Sequence, residues 1–209
     1  SRIATRYSRR RRAVVLEQGE ALFDVARDAD RPFTIDAGQA RITVLGTRFT
    51  VNRLPGLVRV SVEHGTVRLA GEGDAQGHQA LLLHAGEVGE MPDAGTDGAH
   101  DADGTLPRPR RVQRDARDSF SSIERGLIVF DSAGLGEIAA TLSRWRRQPV
   151  RAALAEGTDG GPRITAAVQR GDVESFLDAL PRIAAVRVQE RNGATWLTPR
   201  HVAPGKKPE

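Results

Sequence analysis

The N-terminal part of the chain alternates hydrophobic and polar residues over short runs. Residues 58–63 place three valines on one side of an extended chain, and residues 41–44 and 48–52 alternate in the same way. A period of two over about four to eight residues is typical of a half-buried β-strand. No window between residues 12 and 91 holds an apolar stripe with helical spacing. The pattern therefore predicts an all-β domain over residues 1–91, built as a roll or a solenoid-like coil.

A short glycine pattern recurs within this region. It consists of an apolar residue, two further residues, a glycine, one residue and a second apolar residue. The copies lie at residues 16–21, 62–67 and 83–88. A glycine with positive φ allows a tight turn between two strands, and the unequal spacing of the copies excludes a strict repeat array. The pattern predicts stacked hairpins or the coils of a β-roll.

Residues 92–122 differ from both flanking regions in composition. Residues 92–104 are acidic and rich in glycine, and residues 107–114 are basic and contain proline. Neither stretch can bury enough apolar surface to offset the entropy lost on ordering. We therefore expect a polar linker over residues 92–122.

Residues 123–200 mix strand and helix patterns in the order β-α-β-β-α-β-β, which predicts a small α+β domain. The first strand covers residues 127–130, and Leu135, Ile138 and Leu142 follow at helical spacing in a helix expected to end near Arg147. The remaining elements are strands over 150–153 and 163–168, a helix from its cap Asp172 to Pro181, and strands over 185–189 and 195–198 joined by a hairpin turn at Asn192-Gly193. Residues 201–209 are expected to be a disordered tail.

Composition narrows the possible chemistry. The 209 residues include no cysteine, which excludes a disulfide scaffold, a cysteine-ligated zinc site and a cysteine nucleophile. No apolar run approaches the roughly 20 residues that a membrane-spanning helix needs. The 31 Lys+Arg against 27 Asp+Glu leave a net charge of +4, which is a weak field for a chain of this length.

Nucleic-acid binding through Arg9, Arg10, Arg11 and Arg12 is one alternative function. Four arginines could neutralise a few phosphates. However, only Tyr7 offers an aromatic ring beside them for base stacking, and no recognition motif follows. We expect this run to form a solvated strand edge, and we predict no nucleic-acid partner.

A dinucleotide-binding enzyme is a second alternative, through Gly134 and Gly136. These two glycines and Ala139 match G-x-G-x-x-A between a strand and a helix, and Glu156 stands at a suitable distance to bind a ribose. Against this, Asp131 would repel phosphates, and too few residues follow to complete a doubly wound sheet. Residues 131–134 instead indicate an ordinary helix N-terminus with a capping side chain. The five histidines stand in no metal or catalytic motif, so we predict neither a cofactor nor an enzyme.

Several motifs, taken in order, resemble the FecR family. They are Gly19-Glu-Ala21, Arg31-Pro-Phe33, Leu45-Gly-Thr-x-Phe49 and Val62-x-x-Gly65-x-Val67. Residues 126–130 and 142–150 are similar to the family's C-terminal segment, which itself resembles the short N-terminal domain of secretins and TonB-dependent receptors. Ile123 stands where relatives usually carry tryptophan. The resemblance covers most of residues 10–200.

The resemblance implies a non-enzymatic signalling module of a transmembrane anti-sigma factor or sigma regulator, PupR-like regulators included. The chain would be the periplasmic portion of a single-pass inner-membrane protein, whose membrane helix and cytoplasmic anti-sigma part lie outside it. The implied partner is the periplasmic signalling domain of a TonB-dependent outer-membrane transducer, commonly a receptor for ferric siderophores. The implied result is control of an extracytoplasmic-function sigma factor, with a periplasmic or membrane protease taking part.

The family's partner contacts lie in the second domain, and the helix that begins at Leu135 is the best candidate surface. The candidate residues are Leu135, Ile138, Leu142, Arg144, Trp145, Arg146 and Arg147. The apolar stripe of this helix also fits a core, whereas tryptophan and arginine are enriched at binding hot spots. A second route is addition of a partner strand along residues 163–168 or 195–198.

Overall fold

The computed structural model describes residues 1–7, 12–71, 74, 79–93, 108–153 and 161–200. The chain divides into two compact units, Ser1–Arg125 and Gly126–Glu209. The expected tail at 201–209 and most of the acidic stretch at 92–104 lie outside the described residues. That each unit folds on its own as a domain stays a prediction.

A nearly closed sheet of ten strands builds the described part of the first unit. The strands are β1 (Arg2–Tyr7), β2 (Arg12–Asp24), β3 (Phe33–Ala37), β4 (Ala40–Val44), β5 (Arg48–Leu54), β6 (Gly56–His64), β7 (Thr66–Gly71), β8 (Leu81–His84), β9 (Val88–Asp93) and β10 (Arg110–Val112). Their order in the sheet is β10-β9-β6-β5-β2-β3-β4-β7-β8, with β1 paired to β2. The strands expected from alternation are therefore present.

Strand β2 belongs to two halves of this sheet. Its first part pairs with β1 and with β3, and its last part, from Gly19, pairs with β5. We call β1, β3, β4, β7 and β8 the first half-sheet, and β5, β6, β9 and β10 the second. Gly19 has a φ of 97° at the point where β2 changes partners.

All three glycines of the recurring pattern lie where the chain passes from one half-sheet to the other. Gly65, with φ 87°, separates β6 of the second half-sheet from β7 of the first. Gly86, with φ 85°, separates β8 from β9. The positive φ is as predicted, but stacked hairpins are wrong for these positions, because the strands on either side of Gly65 and Gly86 pair with other strands.

The core of the first unit is formed by the inward side chains of both half-sheets. Val58, Val60 and Val62 of β6 are fully buried in it. The alternation predicted a strand buried on one face, yet Arg59 and Ser61, on the opposite face, are also buried. Arg59 lies directly opposite Glu90 of β9, and its Nε donates to Glu90 Oε1 over 2.9 Å. Strand β6 is therefore covered on both faces.

Helix α1 (Ala116–Glu124) covers part of the face of β6 that carries Arg59 and Ser61. Its Ala116 and Phe120 form a small apolar cluster with Val88 of β9. Asp115 caps the helix by accepting from the Arg117 backbone N–H over 2.9 Å. Hydrogen bonds from Arg117, chiefly from its side chain, hold the pKa of Asp115 below its usual value.

Polar contacts supply the rest of the attachment of α1. Ser119 Oγ lies 2.8 Å from Ser61 Oγ, and Ser122 donates to Glu20 over 3.2 Å. Glu124 pairs with Arg48 of β5. Strand β10 and helix α1 therefore give ordered structure to part of the range expected to be a linker, because partners on distant strands satisfy a sequence too polar to form a core.

The described part of the second unit has the predicted element order β-α-β-β-α-β-β. Its elements are β11 (Leu127–Ala133), α2 (Leu135–Leu142), β12 (Val150–Ala152), β13 (Ile164–Gln169), a 3₁₀ turn (Arg170–Asp172), α3 (Val173–Ile183), β14 (Val186–Arg191) and β15 (Ala194–Pro199). Strands β11 and β13 form one antiparallel pair, and β12-β15-β14 form a second sheet. The predicted Asn192-Gly193 hairpin turn joins β14 to β15, with both residues at positive φ.

Both helices of this unit end differently from the prediction. Helix α2 stops at Leu142, well before Arg147, because the Ser143 hydroxyl lies within hydrogen-bond distance of Ala139 O (2.8 Å) and of the Val150 backbone N–H (2.7 Å). Helix α3 continues past Pro181 to Ile183, and Asp172 gives it no side-chain cap. Pro181 has no N–H to donate to the Leu177 carbonyl, so the helix continues past it without that hydrogen bond.

Candidate partner-binding surface

The apolar stripe of α2 faces the core of the second unit. Leu135, Ile138 and Leu142 are at most 2% exposed. They belong to a cluster that includes the stacked rings of Phe130 and Phe176, whose centroids are 5.7 Å apart. The expectation that these three side chains contact a partner is therefore wrong for the folded unit, because they are not accessible.

Trp145 lies at the surface in the turn that follows α2. Its side chain is 39% exposed, and its backbone N–H donates to Leu142 O over 3.0 Å. The Arg170 guanidinium carbon lies 3.9 Å from the centre of the Trp145 ring. A cation over the face of an indole is attracted by the ring quadrupole, so Arg170 holds the ring against the unit with one face covered.

Arg170 is a residue that sequence reasoning missed. It lies in the 3₁₀ turn before α3, and its backbone N–H donates to Gly126 O over 2.8 Å. Nothing in the local sequence links Arg170 to Trp145, because their proximity depends on how β13 and α2 pack in the folded unit.

Arg146 makes internal contacts. Its Nε and Nη2 donate to the two carboxylate oxygens of Glu174 over 2.6 and 2.8 Å. Its Nη1 donates to Thr195 Oγ1 over 2.7 Å, and its side chain is only 8% exposed. Such a bidentate pair fixes geometry, so Arg146 joins the turn to α3 and β15. The expected partner contact through Arg146 does not fit this arrangement.

The other two arginines of the cluster differ in exposure. Arg144 is half-buried, whereas Arg147 is exposed. Trp145 and Arg147 are exposed in this turn, and the half-buried Arg170 lies over the Trp145 ring. We call these three residues the Trp145 surface.

The sheet edges decide where a partner strand could be added. Strand β15 lies between β12 and β14, so both of its edges are paired and strand addition along residues 195–198 is wrong. Strand β13 pairs with β11 alone among the described strands. Strand addition along residues 163–168 therefore stays a prediction.

The region around Gly134 and Gly136 does not have the geometry of a dinucleotide site. Strand β11 continues to Ala133, closer to Gly134 than predicted, and Gly134 starts α2 with an ordinary φ of −78° and no side-chain cap. The dinucleotide motif requires parallel strands of one sheet on either side of the helix. Here β11 and β12 lie in different sheets, and β11 pairs antiparallel with β13. Glu156 lies outside the described residues.

Arg12 is likewise committed to internal contacts. Its Nε donates to Arg31 O over 2.9 Å and its Nη1 to Ala26 O over 3.3 Å, which fastens the loop between β2 and β3. Arg9, Arg10 and Arg11 lie outside the described residues. Phosphate binding by Arg12 would require these contacts to break.

In the ranges that the structure describes, no three or more His, Cys, Asp or Glu side chains come together in a group suited to a metal ion. No helix in the described ranges is both long enough and apolar enough to cross a membrane.

Comparison with known proteins adds a family and a fold. Residues 1–68 match the family model described as FecR protein. Two crystal structures of a "putative anti-sigma factor" from Parabacteroides distasonis share the fold, each with 21% identity over 93% of this chain. The match covers 83% and 84% of those chains, with TM-scores of 0.70 and 0.72. No curated protein matches the sequence. Over residues 1–68, the chain is therefore similar to the FecR family.

Proposed function

We propose that this chain is the periplasmic sensing part of an anti-sigma regulator. In this proposal it binds the signalling domain of a TonB-dependent outer-membrane transducer and so controls an extracytoplasmic-function sigma factor. The sigma factor would contact a cytoplasmic part of the same protein, and a periplasmic or membrane protease would act on it. Ferric siderophores are the proposed class of stimulus.

The observation that carries the regulatory assignment is the FecR match over residues 1–68. The fold shared with the Parabacteroides distasonis protein over most of both chains supports the same assignment. The FecR match and the shared fold together favour a regulatory protein over an enzyme.

The Trp145 surface is the proposed contact with the transducer. Binding energy at protein interfaces is concentrated in a few residues, and Trp and Arg are over-represented among them. Trp145 is already oriented by Arg170, so a partner that covers it orders few side chains. Arg147 is exposed beside it and can pair with carboxylates at the rim of the interface.

Replacing Trp145 with alanine tests this contact. We expect Trp145→Ala to weaken binding to the purified periplasmic signalling domain of a TonB-dependent transducer from the same genome by at least about fivefold, or roughly 1 kcal/mol. The melting temperature should change little, because the side chain lies outside the core. Isothermal titration calorimetry gives the affinity.

Ile183→Ala is the matched control. Ile183 is 60% exposed, also in the second unit. It lies at the far end of α3 from Arg170, roughly 16 Å along the helix axis. The Ile183→Ala substitution should leave the affinity for the signalling domain unchanged. Equal affinities of the Trp145→Ala variant and the unmodified chain would contradict the proposed contact, and failure of every such signalling domain to bind would contradict the proposed partner.

A further inference from the structure

The second unit has a sheet face on which arginines surround a tryptophan. In the three-stranded sheet, Arg151 of β12 lies directly opposite Trp196 of β15, and Gln189 of β14 lies opposite Trp196 on its other side. Arg187 and Arg191 lie two positions before and after Gln189. Because side chains alternate across a strand, all five point to the same face.

The opposite face of this sheet is the one that packs against the core. Val150, Val186 and Leu197 are at most 5% exposed there. The face around Trp196 is different, since Arg151, Arg187 and Arg191 are exposed and Trp196 is half-buried. This outer face therefore contributes side chains to the surface rather than to the core. We call it the Trp196 face.

Two guanidinium groups flank the tryptophan ring. The Arg191 carbon lies 4.7 Å from the ring centre and the Arg151 carbon 5.7 Å. These contacts hold both cations near the ring while their N–H groups remain able to donate outward. The ring thus acts as a common support for two arginines on different strands.

The charge on this face is of one sign. The face positions of β12, β14 and β15 carry Arg151, Arg187, Gln189, Arg191, Ala194, Trp196 and Thr198. Among the described residues, no carboxylate pairs with Arg151, Arg187 or Arg191. No two of these arginines are directly opposite each other, because β15 separates β12 from β14. Together they give the face a positive potential that would attract an anion.

We propose that the Trp196 face binds an acidic segment of a partner protein. Arginine forms planar, bidentate hydrogen bonds with carboxylates. Arg151 lies on β12 and Arg187 and Arg191 lie on β14, with β15 between them, so the two arginine-bearing strands are about 10 Å apart, within reach of one peptide. A nucleic acid fits less well, because the single aromatic ring is already flanked by arginines and offers little free surface for base stacking. A lipid surface fits less well because no fully exposed apolar side chain extends from this face.

The inference deepens the proposed function, since the transducer's signalling domain is the partner that the function supplies. Under that function, the Trp196 face adds an electrostatic contact distinct from the Trp145 surface. It predicts that an acidic stretch of the partner contributes to recognition, mainly by accelerating association.

The test measures binding of the full chain to a fluorescein-labelled ten-residue peptide of alternating Glu and Thr, with a Lys-Thr peptide as the probe control. Fluorescence anisotropy at low and at high salt gives the affinities. We expect the Glu-Thr peptide alone to bind, and to bind more weakly at high salt. The double variant Arg151→Gln/Arg191→Gln should weaken binding at least fivefold. Arg182→Gln, an exposed arginine of α3, should not.

Three results would overturn the proposal. They are no preference for the acidic peptide over the basic one, equal affinities of the double variant and the unmodified chain, and tighter binding of duplex DNA or of phosphatidylglycerol vesicles through the same two arginines. Because the peptide is independent of any transducer, these results are separate from those that test the proposed function. The affinity of the double variant for the signalling domain then shows whether that domain uses this face.

Discussion

Arginine has several distinct roles in this chain, and the partner of each side chain decides which. Arg12 fastens a loop through backbone carbonyls, Arg146 joins three elements, and Arg147 is exposed in the same turn. The partners of Arg146 lie 28 and 49 positions further along the chain. Composition and local pattern identify the arginine cluster but cannot separate its members, because those partners are brought together only by folding.

Arg146→Ala should lower the free energy of unfolding by about 1 to 2 kcal/mol, because it removes hydrogen bonds to a carboxylate and to a buried threonine. The value lies towards the lower end of the range for charged hydrogen bonds, since Glu174 is largely exposed. Urea denaturation, monitored by circular dichroism, measures this change in the free energy of unfolding.

Arg147→Ala, a charge-matched change one residue away, should alter the unfolding free energy by less than about 0.5 kcal/mol. If the two variants were equally stable, the internal role assigned to Arg146 would be wrong.

The recurring glycines act at the level of elements, since each allows the chain to pass between half-sheets. Gly65 and Gly86 have nearly the same φ but different surroundings. A Cβ at Gly65 would lie 2.8 Å from Gly46 O, whereas one at Gly86 would meet nothing within 4 Å. Comparing alanine variants at Gly65 and Gly86 therefore separates the cost of the backbone conformation from the cost of a steric clash.

Gly86→Ala should destabilise the first unit by about 1 to 2 kcal/mol through its positive φ alone. Gly65→Ala should cost at least about 1 kcal/mol more, because Gly46 and Thr47 must move. Thermal and urea unfolding of both variants measure the difference, and a smaller loss for Gly65→Ala would show that the clash is relieved without cost.

At the level of elements, most of the strands could be predicted from the sequence. The alternation, the Asn192-Gly193 turn and the glycine pattern that indicate them are local signals. Helix α1 shows why the rest could not be predicted. Its apolar contribution is essentially Ala116 and Phe120, too little for a helix-length stripe. Its polar anchors, Arg48 and Ser61 among them, come from strands far away in the chain.

The whole molecule has a separate hydrophobic core in each unit. If the units fold independently, calorimetry of the full chain should show two transitions. Leu69→Ala in the first core and Ile138→Ala in the second each remove a fully buried side chain, at a cost of about 2 to 5 kcal/mol.

Each variant should therefore lower the temperature of one transition by about 8 °C or more and leave the other nearly unchanged. One shared transition, displaced by both variants, would mean that the two units unfold together and are not independent domains.

The buried pair of Arg59 and Glu90 has a consequence for errors of strand alignment during folding. The valines of β6 recur at every second position, so a slip of two residues keeps them on the same face and apolar contacts alone distinguish such a register poorly. Because Arg59 and Glu90 are directly opposite each other and both are buried, a slip of β9 along β6 takes the Glu90 carboxylate away from the Arg59 guanidinium. An unpaired buried charge costs about 3 to 5 kcal/mol. The pair therefore destabilises misaligned states more than it stabilises the native one, and so favours the native register between β6 and β9.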